Sequence, residues 1–173
     1  FFINCTDNYT PKPRAFFKLE FPEKEYHKIK SNCPFEFDLP DYAIILNGKK
    51  DCLFDIVFPK QNGKIHVIYF SLDNNLYEHT EESRSLAYKH NIMVDAITEQ
   101  IFINDSLDVY GILYSYHGNS ATSTQFFLTD SINHFFRGAL YFQNEINDSI
   151  LPINNFLRED IRNIIESFRW KNN

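Results

Sequence analysis

No apolar run in this sequence approaches the ~20 residues that cross a bilayer as a helix. Glycine is scarce, 5 in 173 residues, which excludes a collagen-like repeat and a flexible linker. No basic cluster exceeds three residues, and the formal net charge is −6 with a pI near 5.5. Nucleic acid is therefore not an expected partner, because phosphate neutralisation needs concentrated Lys and Arg. No CxxC is present, and His27, His66, His79, His90, His117 and His134 fall in no HxxxH or HExxH spacing. GxSxG, P-loop and dinucleotide signatures are also missing. The residues thus point to no metal, no cofactor and no catalytic constellation, and the chain reads as a non-enzyme. Glu81-Glu82 and Glu159-Asp160 are adjacent carboxylates that read as solvated helix faces.

Phenylalanine and tyrosine are abundant. With 18 Phe and 10 Tyr in a chain that is 17% aromatic, the composition favours β structure. The fold class expected is α+β, an antiparallel sheet flanked by helices, with one full-sized core. Its centre is Gln125–Phe142, which reads as a hairpin: two aromatic runs, QFFL and FFRGALYF, joined by the turn-forming TDSINH. Alternation puts Phe136, Gly138, Leu140 and Phe142 on one face and Phe135, Arg137, Ala139 and Tyr141 on the other. Two largely apolar faces mark a central strand. Arg137, a cation among aromatics, needs a partner. Two readings stand: an internal structural pair, or a ligand-facing group.

Before the hairpin, AFFKLEF, CPFEFDLP, YAIILN, CLFDIVF and KIHVIYFSL read as strands, with Asn62-Gly63 as a reversal. Leu76 to His90 is expected to be a helix with a narrow stripe of Leu86, Ala87 and His90. VDAITEQIFIND, DVYGILYSYHG, ATSTQFFLTD and FFRGALYF then form an antiparallel meander, with Tyr110, Ile112, Tyr114 and Tyr116 on one face. A long closing helix follows Pro152. Ile153, Leu157, Ile161, Ile164, Ile165 and Phe168 share its apolar face, and Arg158, Glu159, Asp160 and Arg162 the other.

The amino-terminal residues have a different character. The chain starts on Phe1 rather than Met, which reads as a fragment or processed product. FFINC followed by the polar TDNYTPKPR is the switch left when a lipoprotein signal is cut short upstream. In that reading residues 1–4 are a signal remnant, Cys5 carries the lipid, 5–14 form a tether, and 15–173 are one globular domain. The other reading is an ordinary exposed cysteine. Pro11 and Pro13 make PKPR extended; Lys12 and Arg14 make it basic, as a spacer or as a strip that docks on a partner. With Cys5 taken by lipid, Cys33 and Cys52 are left as a pair that an oxidising compartment allows to bridge. A simple hairpin about NGKK puts residue 52 opposite residue 45, so Cys33 reaches it only if the chain turns back at Pro40.

Several segments are similar, in order, to one family. PKPRAFF behind Cys5, then FPK…GKIHVIY, SLAYKH, GNSATSTQFFLTDS, HFFRGALYF and the terminal ESFRW resemble the gliding-motility lipoprotein GldD family of the Bacteroidota. The resemblance implies acylation at Cys5 and a periplasm-facing lipoprotein in the cell envelope. It further implies a role in surface gliding linked to type IX secretion, with the other machinery proteins and the membrane as partners. No catalytic residue is implied. The element order also resembles the Mog1/PsbP-like α/β/α sandwich, in which Ser167-Phe168-Arg169 closes the last helix. The leading functional expectation is a non-catalytic protein-interaction component. The second is a periplasmic small-ligand binder with a pocket lined by Tyr114, Tyr116 and Arg137.

Overall fold

The computed structural model describes residues 20–89, 96–117, 122–143 and 150–171. Cys5, Lys12 and Arg14 lie outside the described residues, as does most of the strand expected at AFFKLEF. Its last two residues, Glu20 and Phe21, are irregular, and the Phe21 ring instead stacks on Phe156 with centroids 4.4 Å apart.

Three short strands come first, Tyr26–Lys28 (β1), Phe35–Glu36 (β2) and Asp38–Pro40 (β3). Ile44–Asn47 (β4), Phe54–Phe58 (β5) and Gly63–Ser71 (β6) follow, then the helix Leu76–Tyr88 (α1). The meander is Ala96–Asn104 (β7), Val109–His117 (β8), Thr122–Thr129 (β9) and His134–Phe142 (β10). The helix Leu151–Ser167 (α2) and the strand Arg169–Trp170 (β11) complete the chain.

Seven strands form one antiparallel sheet in the order β4-β5-β6-β10-β9-β8-β7. The hairpin strand β10 lies at its middle, with Phe136 between Tyr69 and Leu128. Gly138 faces Phe126. A Cβ there would come within 2.5 Å of the Phe126 ring, so glycine is what lets that ring lie over the strand. At the β5–β6 reversal Asn62 takes a left-handed φ of 50°, the conformation asparagine tolerates best among residues with a Cβ.

The two faces are covered by different elements. On one, α2 and the strand pairs β1–β3 and β2–β11 enclose Phe35, Phe37, Ile56, Val67, Phe136, Leu140, Ile161 and Phe168, all buried. On the other, α1 lies over Tyr114, Tyr116, Phe127 and Phe135. CPFEFDLP therefore does not form one strand of the main sheet. It splits at Phe37, and β2 pairs with β11 while β3 pairs with β1.

Two further expectations change, the register about NGKK and the stripe of α1. Ile45 faces Ile56 rather than residue 52, because the turn is longer than NGKK: Gly48 N–H donates to Leu53 O at 2.8 Å, and Cys52 sits inside it at φ 56°. The chain does turn after Pro40, where Ala43 N–H donates to Pro40 O. The structure joins Cys33 to Cys52 in a disulfide with Cα atoms 5.6 Å apart. The buried residues of α1 are Ser83 and Ala87, in line with the half-buried Leu76 and His79, while Leu86 is partly exposed and His90 lies outside the described residues. His79, a ring among aromatics, stacks on Phe70 at 4.5 Å and Phe135 at 5.3 Å.

Asp160 is the largest correction. It is fully buried rather than solvated, because α2 turns it towards the amino-terminal segment. Lys24 Nζ and Tyr26 OH each donate to Oδ1 at 2.8 Å, and Tyr42 OH donates to Oδ2 at 2.7 Å. Lys24 also donates to Phe156 O and lies 4.0 Å from the Phe156 ring centroid. Burial, with the hydrogen bond to Asp160 behind it, raises the pKa of both tyrosines. This clasp fastens the first described residues to α2. Its neighbour Glu159 remains exposed, 3.2 Å from Lys24.

Candidate functional site

The register places the disulfide loop, the end of β6, the β7–β8 turn and the β9–β10 turn at one end of the sheet, and Trp170 on His134 brings the segment after α2 to the same end. The described chain begins at the other end, where Glu20, Phe21 and Pro22 line a hollow with Lys60, Gln61 and Ile153.

At the first end lies a cleft of about 800 Å³, lined by Ser71, Ser106, Leu107, Asp108, Asp130, Asn133, His134, Arg169, Trp170 and Lys171. Each wall is set by local chemistry. In the β9–β10 turn, Asp130 Oδ1 accepts from the backbone N–H of Ile132, Asn133 and His134 at 3.0, 2.8 and 2.8 Å. Burial opposes its charge, but these three donors outweigh it and hold the carboxyl below its usual range. The far wall is the ESFRW segment. Asp38 N–H donates to Ser167 Oγ at 2.9 Å. Phe168 drops into the core against Phe136 at 5.1 Å and Phe35 at 5.7 Å. Arg169 Nη1 donates to the carbonyls of Phe168 and Glu166, where the helix end carries partial negative charge.

Trp170 finishes the wall. It stacks on His134 with centroids 5.0 Å apart, and its Nε1–H donates to Asp108 O at 3.0 Å. His134 Nδ1 is 2.7 Å from Tyr69 OH. Lys171 Nζ donates to Ser31 O at 2.6 Å, and Ser31 lines an adjoining cleft of about 710 Å³ around the disulfide with Lys30, Lys49 and Lys50. Two polar clefts thus meet at one end of the molecule. Arg169 and Lys171 are tied to main-chain carbonyls, the aromatic wall is stacked, and the geometry suits polar recognition by shape and hydrogen bonding.

The candidate residues read from the sequence lie elsewhere. Tyr114 and Tyr116 are buried beneath α1, packed with Phe127, Phe135 and Ala87; burial and then the charge of Glu99 push the Tyr114 hydroxyl up to about 12. Arg137 is two strands away on the same face, its side chain 15% exposed. Its Nη1 is 3.6 Å from Glu82 Oε2 and its guanidinium 5.9 Å from the Phe70 ring centroid. The structure does not bring the three together around an open space: the aromatic rings of β9 and β10 fill the layer between them. The cleft residues His134 and Asp130 carry no motif. Only the turn-forming TDSINH and the terminal ESFRW signal that something special sits there.

Among the described residues no group of three or more His, Cys, Asp or Glu is arranged to hold a metal. No described helix is long and apolar enough to cross a membrane. Among curated proteins none matches the chain. Residues 6–170 match the family described as gliding motility lipoprotein GldD, and the chain belongs to that family.

Proposed function

We propose that this gliding-motility lipoprotein is anchored through an acyl group on Cys5, faces the periplasm, and serves the type IX secretion-linked gliding machinery of a Bacteroidota cell through protein contacts, without catalysis. The observation that carries this reading is the family match over residues 6–170, nearly the whole chain. The position of the paired clefts supports it. They lie at the end of the sheet opposite Glu20, where the chain from Cys5 arrives, so an anchored domain can present them away from its tether. The element order stays in keeping with a Mog1/PsbP-like sandwich. In this reading the proline-containing, basic segment Lys12-Pro13-Arg14 costs less entropy to order on a partner than a glycine-rich tether would.

Intact mass of the native protein tests the anchor: a diacylglyceryl adduct is expected, and Cys5→Ser should release the protein from membranes. An unmodified, soluble native protein overturns the anchor. Replacing Lys12-Pro13-Arg14 by Gly-Ser-Gly separates spacer from docking strip. Gliding that survives this exchange at normal protein levels leaves the segment a spacer.

A further inference from the structure

Among the described residues the sheet has one unguarded edge. β7 pairs with β8 over nine residues, from Ala96↔His117 to Asn104↔Val109, without a bulge. No strand lies on its outer side among the described residues. Exposed edges are normally blunted by proline, lysine, bulges or shortness. β7 has no proline, no lysine and no bulge, and its one charge, Glu99, already accepts a hydrogen bond from Tyr88 OH at 2.6 Å. The opposite edge, β4, is only four residues long.

The side chains of β7 differ on its two faces. On the α1 face Ile101 and Ile103 are 69% and 68% exposed. They stand beside Ile112 and Tyr110, past the end of α1, whose last residue Tyr88 packs against Tyr114 nearer Glu99. On the α2 face, Arg162 Nη2 reaches Gln100 Oε1 at 3.4 Å. Arg158 lies one turn earlier on α2, and burial together with the charge of Arg162 lowers its pKa. Among the described residues no carboxylate pairs with either arginine.

We propose that β7 is a docking edge for an extended segment of another protein, a strand that alternates apolar and acidic residues. The backbone sets the first requirement: outward N–H and C=O groups at strand spacing are satisfied by another extended chain, and neither a lipid surface nor a helix can do it. The side chains set the second. Residues of the added strand on the α1 face meet Ile101 and Ile103, and those on the α2 face meet Arg162, which has no carboxylate partner among the described residues. A second copy of this chain is the wrong occupant, because two-fold pairing centred on β7 keeps like faces together and brings Arg162 towards Arg162. The inference rests on the reading of the protein as a protein-contact component and names the chemistry of one contact.

The test uses the full chain carrying Cys5→Ser and three synthetic peptides of β7's length. One alternates valine and aspartate, the second has lysine for aspartate, and the third has proline at its centre. The valine–aspartate peptide should bind and protect the amides of Ala96–Asn104 from hydrogen exchange. The lysine peptide should bind at least about tenfold more weakly, because it sets like charges against each other, and the proline peptide should not protect β7. Arg162→Glu should reverse the preference between the two charged peptides. Equal binding of the charged peptides, protection outside β7, or no binding at all overturns the proposal. Dimerisation in solution that Ile103→Lys abolishes overturns it in favour of a second copy. In cells, unchanged gliding of an Ile101→Lys, Ile103→Lys double variant, alongside loss of gliding in Cys5→Ser, removes the docking edge and leaves the proposed function standing.

Discussion

The face of the sheet under α2 and the face under α1 are closed by opposite means. Under α2, large side chains interlock: Phe35, Phe37, Phe136 and Phe168 form one ring cluster, and Leu157, Ile161 and Ile164 press on the same strands. Under α1 the helix buries only Ser83 and Ala87, small residues that allow close approach but cover little, beside the half-buried Leu76 and His79. The buried aromatics there belong to the sheet. A helix with a narrow contact stripe cannot cover seven strands, and the corner at Ile101 and Ile103 stays open. The α2 side holds the fold, and the α1 side has surface to spare for contacts.

Phe168→Ala should break this contrast most strongly. It removes a buried ring from the cluster beneath the ESFRW segment, and large-to-small changes of this kind cost about 3–5 kcal/mol. Urea unfolding should show that loss, and Trp170 fluorescence should shift because the ring packs on Phe168 with centroids 4.7 Å apart. A loss below about 1 kcal/mol would remove the claim that the α2 face dominates.

Asp160→Ala comes next, at about 3 kcal/mol, since it strands the groups that converge on a buried carboxylate. The clasp also has a pH signature. The folded protein holds the protons of Tyr26 and Tyr42 above the ordinary value of 10.0. Their contribution is therefore complete below about pH 10 and is lost as pH rises towards the folded pKa. Wild type should lose stability steeply in that window and Tyr42→Phe less steeply, as followed by circular dichroism. Equal slopes would show that the clasp does not hold its tyrosines protonated.

On the α1 face, Arg137→Ala should cost less. Its partner Glu82 is half exposed and 3.6 Å away, so the ion pair itself contributes little. The stem packing and the aromatic contact should account for a fall of several degrees in Tm. Stability equal to wild type, with gliding lost, would instead make Arg137 a contact residue.

Much of the architecture was legible because it is local. Aromatic runs bracketing TDSINH specify a hairpin through turn chemistry and period-two alternation, and β10 became the central strand because both its faces had to be buried. The apolar face of α2 could be read from helical spacing alone. In the same helix Asp160 was misread, because its type says exposed and only the arrival of Lys24, Tyr26 and Tyr42 from over a hundred residues away makes burial tolerable. The α1 stripe was misplaced for a related reason: serine and alanine carry no hydrophobic signal, yet close packing selects them.

The sequence alone therefore determined the order of the main-sheet strands and the two helices, the central hairpin and, through its ordered family motifs, the lipoprotein class. Tertiary structure decided the six-residue turn that brings Cys52 to Cys33, the stacking of Trp170 on His134 that walls the cleft, and the edge position of β7. Each of these depends on which distant segments meet, and side-chain periodicity reports a residue's own element rather than what lies across from it.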